Sequence, residues 1–105
     1  MSHAALESGA LVTATATGTN SATATITGVP GKKTYIAFVS ASSDLAGGTV
    51  QIKDGSTVIW QDRVSNTCPG AYSFEGYLVA SAGANVTVVV TGTSLSNANI
   101  SAFQL

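Results

Sequence analysis

The sequence predicts an all-β protein, an antiparallel two-sheet sandwich of about eight short strands of the jelly-roll type. Three observations predict it. Apolar and polar residues alternate with a period of two along most of the chain. The alternation breaks at Gly, Asn, Asp and Pro about every ten residues. No stretch spaces its apolar residues by threes and fours between helix caps. A chain of 105 residues has room for one core. Residues 11–105 therefore read as one domain and residues 1–10 as an N-terminal arm, where Leu6 is the one large apolar side chain after Met1. An immunoglobulin-like sandwich is the second architecture to weigh; the paired cysteines of antibody domains are missing.

Residues 12–19 alternate Thr with Ala, Asn20-Ser21 reads as a turn, and residues 22–27 resume the alternation. Branched Thr side chains favour extended backbone, while Ala buries little area. The two segments are expected to form a Thr-rich hairpin lying on a sheet or on a neighbouring subunit. Gly28-Val29-Pro30-Gly31 is a turn, with Pro pre-set for its first central position and Gly31 free to take a positive φ. Residues 33–41 form the strongest strand, with Tyr35, Ala37 and Val39 on one face and Ile36 and Phe38 on the other. Apolar groups on both faces place it centrally.

Ser42-Ser43-Asp44 and Gly47-Gly48 bracket a loop. Residues 49–53 put Val50 and Ile52 inward and Gln51 and Lys53 outward, and Asp54-Gly55 is a strong hairpin signal. The return strand, 56–64, sets Val58, Trp60 and Asp62 opposite Ile59, Gln61 and Arg63. A turn-rich loop over 65–70 leads past Tyr72 into a strand over 73–80, where Gly76 marks a bulge. Residues 81–85 turn. Residues 86–91 run through Val88-Val89-Val90 and read as buried on both faces. Residues 92–97 connect to the last strand, 99–104, whose Ile100 and Phe103 point to opposite sides.

The residues that could carry chemistry are few, and no catalytic, cofactor or metal site is predicted. The single histidine, His3, lies on the arm, where nothing fixes its geometry for a Ser–His–Asp set. Asp44 and Asp54 have turn roles. Asp62 and Glu75 sit on different strands and could meet as a carboxylate pair, but a solvated or ion-paired Asp62 is the simpler reading. The chain has no His/Cys cluster at ligand spacing, no calcium loop and no Gly-rich turn entering a helix. Four cations without a cluster exclude binding of nucleic acid by phosphate neutralisation. No apolar run has the length of a membrane span, and no basic, apolar leader opens the sequence. Cys68, the one cysteine, cannot form an internal disulfide and reads as a small loop residue. Tyr72 is the aromatic best placed to contact a ligand such as a sugar.

Charge is the unusual quantity. Asp, Glu, Lys and Arg make up 9 % of the chain, against roughly 25 % in ordinary soluble proteins. Ser, Thr, Ala and Gly faces pack against copies of themselves without burying unpaired charge. The chain is therefore expected to be a homo-oligomer, with Ile100, Phe103 and Leu105 of the C-terminal strand at its interface.

Three stretches carry a resemblance. Gly28-Val29-Pro30-Gly31-Lys32-Lys33-Thr34-Tyr35-Ile36 is a turn, a Gly-Lys step and an aromatic strand. Lys53-Asp54-Gly55 closes a hairpin, and Ala82-Gly83-Ala84-Asn85 turns into the Val-rich strand. In this order, over residues 28–105, they resemble small jelly-roll virion proteins of tailed bacteriophages. The resemblance implies a homotrimer on the capsid surface, made in the host cytoplasm, that decorates and cements the shell by contact with the major capsid protein. No long repeat or coiled-coil shaft is present, which favours decoration over a fibre. The arm, with Leu6 and then Leu11 and Val12, is the segment expected to order against the shell. A receptor- or carbohydrate-binding module of a head or tail fibre is the alternative.

Overall fold

A computed structural model describes residues 10–43, 48–64 and 70–105. The chain is all-β and antiparallel. Its strands are β1 (Ala10–Ile26), β2 (Thr34–Ser43), β3 (Gly48–Asp54), β4 (Thr57–Val64), β5 (Gly70–Val79) and β6 (Val86–Gln104). They form one six-stranded sheet that is nearly barrel-shaped. β6 is its spine. One edge of β6 pairs with β1 from Ala10↔Gln104 to Ile26↔Val86. The other pairs with β2 over residues 96–104 and with β3 over residues 86–91. β5 and β4 then flank β2 and β3.

The sheet folds back on itself. Nineteen extended residues of β6 would span about 60 Å, yet the longest dimension of the molecule is 39 Å. All four ribbons break at one level. β1 shifts register between Thr19 and Ser21, with Asn20 at φ 69°. β6 bends near Gly92, where a Cβ would press on the Ser43 and Ser96 hydroxyls. β2 gives way to β3, and β4 to β5, at the same height.

The fold divides the sheet into two leaves. The first holds residues 10–19 of β1, 95–104 of β6, β2 and β5; the second holds 21–26 of β1, 86–91 of β6, β3 and β4. Their far ends are tied together. The Gln104 amide Nε2 donates to the Thr27 carbonyl at 2.9 Å. The Ser81 N–H and hydroxyl both donate to Asp54 Oδ2, at 2.9 and 2.8 Å. Gly28 N–H donates to Asn85 Oδ1 at 2.8 Å. A Cβ on Gly28 would collide with the Gly83 and Ala84 carbonyl oxygens, so this crossing requires glycine.

Between the leaves lies the core: Ile36, Val39, Ile100 and Ala102 from the first, Val50, Ile52, Val86, Val88 and Val90 from the second. The space between them is filled unevenly. At the β1 side it is filled by alanines, Ala14, Ala16, Ala22 and Ala24. At the β4–β5 side Trp60 meets the rings of Tyr72 and Phe74 edge-on, with centroids 4.5 and 5.5 Å away.

Several expectations hold. The Val29–Lys32 turn closes through Lys32 N–H to Val29 O at 3.0 Å, with Gly31 at φ 78°. Asp54 pairs with Thr57 around a two-residue loop whose first position, Gly55, has φ 61°, where a type II′ hairpin needs glycine. The expected bulge at Gly76 falls within an irregular stretch of β5, between Ser73 and Leu78 in the pairing with β2, and Tyr77 has φ 60° there.

Others are corrected. The Thr/Ala segments are not a hairpin, because both pair with β6 and Asn20 bends one long strand instead of reversing it. Residues 92–97 are not a connection but part of β6. Hence the described residues form six strands where about eight were expected. Tyr72 lies within β5, not in a loop. A register shift at Ala37 moves Val39 to the Ile36 face, leaving Tyr35 and Phe38 on the other. A second shift near Ile59 separates Val58, exposed opposite Lys53, from Trp60. Val89 is half-buried on the outer face while Val86, Val88 and Val90 are buried, so β6 is not buried on both sides there.

Candidate interaction surface

The outer face of the first leaf is assembled by cross-strand register. At the end far from the bend Leu11, Phe103, Tyr35 and Val79 form an apolar row across four strands. Tyr77 adds its ring edge-on to Phe103, centroids 6.2 Å apart. The next row is Thr13, Ser101, Phe38 and Ser73. Then come Thr15, Asn99, Ser40 and Ala71, and last Thr17, Asn97 and Ser42. Strand alternation forces this: in the first leaf the inward Val12, Ala14, Ala16, Val39, Ala41, Ala98, Ile100 and Ala102 are each followed by an outward hydroxyl, amide or aromatic group.

None of these side chains is charged. The described cations and carboxylates lie elsewhere: Lys32 and Lys33 in the turn before β2, and Lys53, Asp54, Asp62 and Arg63 on the second leaf. The face still exposes large apolar groups. Leu11 is 62 % exposed, and Phe38, Val79 and Leu95 are also exposed. The amides are held flat against the sheet. Asn99 Nδ2 donates to Ser40 Oγ at 3.1 Å, and Asn97 Nδ2 donates to Ser42 Oγ at 3.2 Å. A shallow depression of about 310 Å³ opens over Ser40, Ser42, Ala71 and Asn99.

No family model, curated protein or solved structure matches this chain. The surface must therefore be read from its own chemistry.

The residues singled out in the sequence scatter. Leu11 lies on the outer face, but Val12 is half-buried on the inner one. Phe103 sits in the apolar row, and the main chain of Leu105 is paired to that of Lys33 by two bonds of 3.1 and 3.2 Å. Ile100, 1 % exposed, fills the core and faces away from any surface. Tyr72 is half-buried on the inward side against Trp60. Asp62 is exposed on β4, its Oδ1 accepting from Arg63 N–H at 2.8 Å. His3, Leu6, Asp44 and Cys68, and the side chain of Glu75, lie outside the described residues. Among the described residues no three His, Cys, Asp or Glu side chains gather to hold a metal, and no helix is long and apolar enough to cross a membrane.

Sequence reasoning missed Ser40, Ser42, Asn97 and Asn99. Their signal was present as Val39-Ser40-Ala41-Ser42 and Asn97-Ala98-Asn99-Ile100. What joins them is a pairing between residues 55 and 59 positions apart.

Proposed function

We propose that the chain is a non-enzymatic structural protein of a bacteriophage virion, a capsid-decoration protein that self-associates and binds the capsid surface to stabilise it. The observation that carries this reading is the outer face of the first leaf, where none of the described side chains is charged. A free surface of this size would ordinarily carry charge for solubility. Here it carries hydroxyls and amides, each both donor and acceptor, beside exposed Leu11, Phe38 and Val79. Such a face loses little when it is dehydrated against another protein.

The resemblance of the Gly-Lys turn, the Asp-Gly hairpin and the Ala-Gly-Ala-Asn turn supports the virion assignment. The bend supports the finer fold reading. Counting each leg of β1 and β6 separately gives eight segments in two facing leaves, which we read as a two-sheet sandwich of jelly-roll type.

Co-sedimentation with DNA-free capsids of a phage carrying this gene tests the proposal. The protein should pellet with the shells and raise their disruption temperature. Ser40→Lys together with Ser73→Lys, which places charge on the face, should abolish both effects with an unchanged circular-dichroism spectrum. Failure of the unmodified protein to bind overturns the reading. The second reading, a carbohydrate-binding module, is favoured by the depression beside exposed Phe38. Binding on a glycan array that is lost in Phe38→Ala would select it.

A further inference from the structure

We propose that the free edge of β1, along residues 10–19, pairs antiparallel with the same edge of a second copy across a two-fold axis. The inference deepens the self-association part of the reading above and does not depend on what the outer face binds.

The sheet has two kinds of edge. β4 and β5 form one, and it is guarded. β4 carries Asp62 and Arg63 and shifts register near Ile59; β5 is irregular between Ser73 and Leu78. Charges and bulges of this kind block the approach of a foreign strand. Among the described residues, β1 forms the other edge and pairs with β6 alone. Its seventeen residues, ALVTATATGTNSATATI, include no charge and no proline. The one irregularity, at Asn20, separates two regular legs. Residues 10–19 run unbroken against β6, leaving a row of outward-pointing backbone N–H and C=O groups available to another strand.

Why a second copy fills it follows from symmetry. A two-fold axis sets the residue a given number of positions before the centre against the one as many positions after it in the other copy, so any charge in the leg would enter the seam twice, and on the axis would face its own image. This leg has none. Centred on Ala14 or on Thr15, the pairing matches residues of equal parity. Centred on Thr15, Thr13 meets Thr17 and Thr15 meets its own copy on the outer side, while Ala14 meets Ala16 and Val12 meets Gly18 on the inner side; centred on Ala14, Thr13 meets Thr15, Leu11 meets Thr17 and Val12 meets Ala16. Inner-face burial supports the choice of leg. Ala22, Ala24 and Ile26 in the second leaf are buried, whereas Val12, Ala14 and Ala16 in the first are only half-buried and gain cover from an added strand. Pairing also joins the two uncharged outer faces into one continuous surface twice as wide.

The test is the mass of the full chain by light scattering after size exclusion, combined with cysteine crosslinking. Two chains per particle are expected. Thr15→Lys, an exposed position on the edge, should give one chain with an unchanged circular-dichroism spectrum. Ser73→Lys, at the far side of the leaf, should keep two. In a Cys68→Ser background, single cysteines at positions 13 to 17 should give a disulfide-linked dimer under mild oxidation, strongest at the residue on the axis. A single chain at the highest soluble concentration, or three chains, overturns the proposal. So does a dimer that survives Thr15→Lys and yields no crosslink in this leg. Capsid co-sedimentation reads the face and particle mass reads the edge, so failure of one proposal is distinguishable from failure of the other.

Discussion

Ser43 is 3 % exposed and its hydroxyl has no hydrogen-bond partner among the described residues, at the level where the sheet bends and beside Gly92. An unpaired buried hydroxyl carries its desolvation cost without return. Ser43→Ala should therefore leave stability unchanged or raise it by up to about 1 kcal/mol, read from the urea midpoint. A loss of about 1 kcal/mol would show that the hydroxyl is satisfied. Residues with a purely local role were legible beforehand. Gly31 and Gly55 sit where Pro-Gly and Asp-Gly chemistry puts them, each at positive φ. The shifts at Ala37 and Ile59 were not legible. A bulge is decided by the strand opposite, and neither position carries a glycine to announce it. The errors they cause are equally local: Val39 and Val58 each change face, and their strands stay where alternation puts them.

At the scale of elements the commonest misreading concerns length. β1 and β6 have 17 and 19 residues, beyond the usual range for a strand. Asn20-Ser21 has the composition of a hairpin turn, yet Ser21 pairs with Thr91 just beyond Thr19↔Leu95. Only the continuous partner strand shows that Asn20 bends the chain without reversing it. The aromatic side of the core follows from the same geometry. Tyr72 looked like the start of a loop-to-strand passage, but β5 begins at Gly70, where any Cβ would strike the Tyr72 ring. That ring packs on Trp60 along with Phe74, so β4 and β5 are held across the gap by side chains in place of backbone bonds. Trp60→Ala should lower unfolding free energy by about 3 kcal/mol, measured by urea denaturation, and should shift the near-ultraviolet circular dichroism of both neighbours.

At the scale of the whole molecule, the charged side chains described within strands lie on the second leaf. The low charge content was plain from composition, and it led to the expectation of self-association. Where the uncharged area lies was hidden, because the face draws its rows from four strands spread over residues 11 to 103. Ile100 and Phe103 show the limit of that reading. Both are apolar on one strand, but Ile100 fills the core and Phe103 lies in the surface row. A face without charge also sets how its binding responds to ions. Shell binding through it should change less than about twofold between low salt and the strongly screening range near 1 M, measured by co-sedimentation. A steep salt dependence would assign the contact to the charged second leaf.

The position of β6 at the centre of the sheet has a temporal side. β1, β2 and β3 all take their main pairing from it, yet it is made after every one of them. On a ribosome the earlier strands emerge with no spine to join. The β3–β4 hairpin is the main local structure they can form, since its two strands are sequential neighbours. Folding waits for β6 and then closes its longest loop, β1 onto β6, among its defining steps. Such high contact order places folding in the millisecond-to-second range. During that interval the threonine-rich N-terminal ribbon is exposed along both edges. The same lack of guarding charge that suits it to a symmetric partner makes this period before completion the chain's most vulnerable to mispairing.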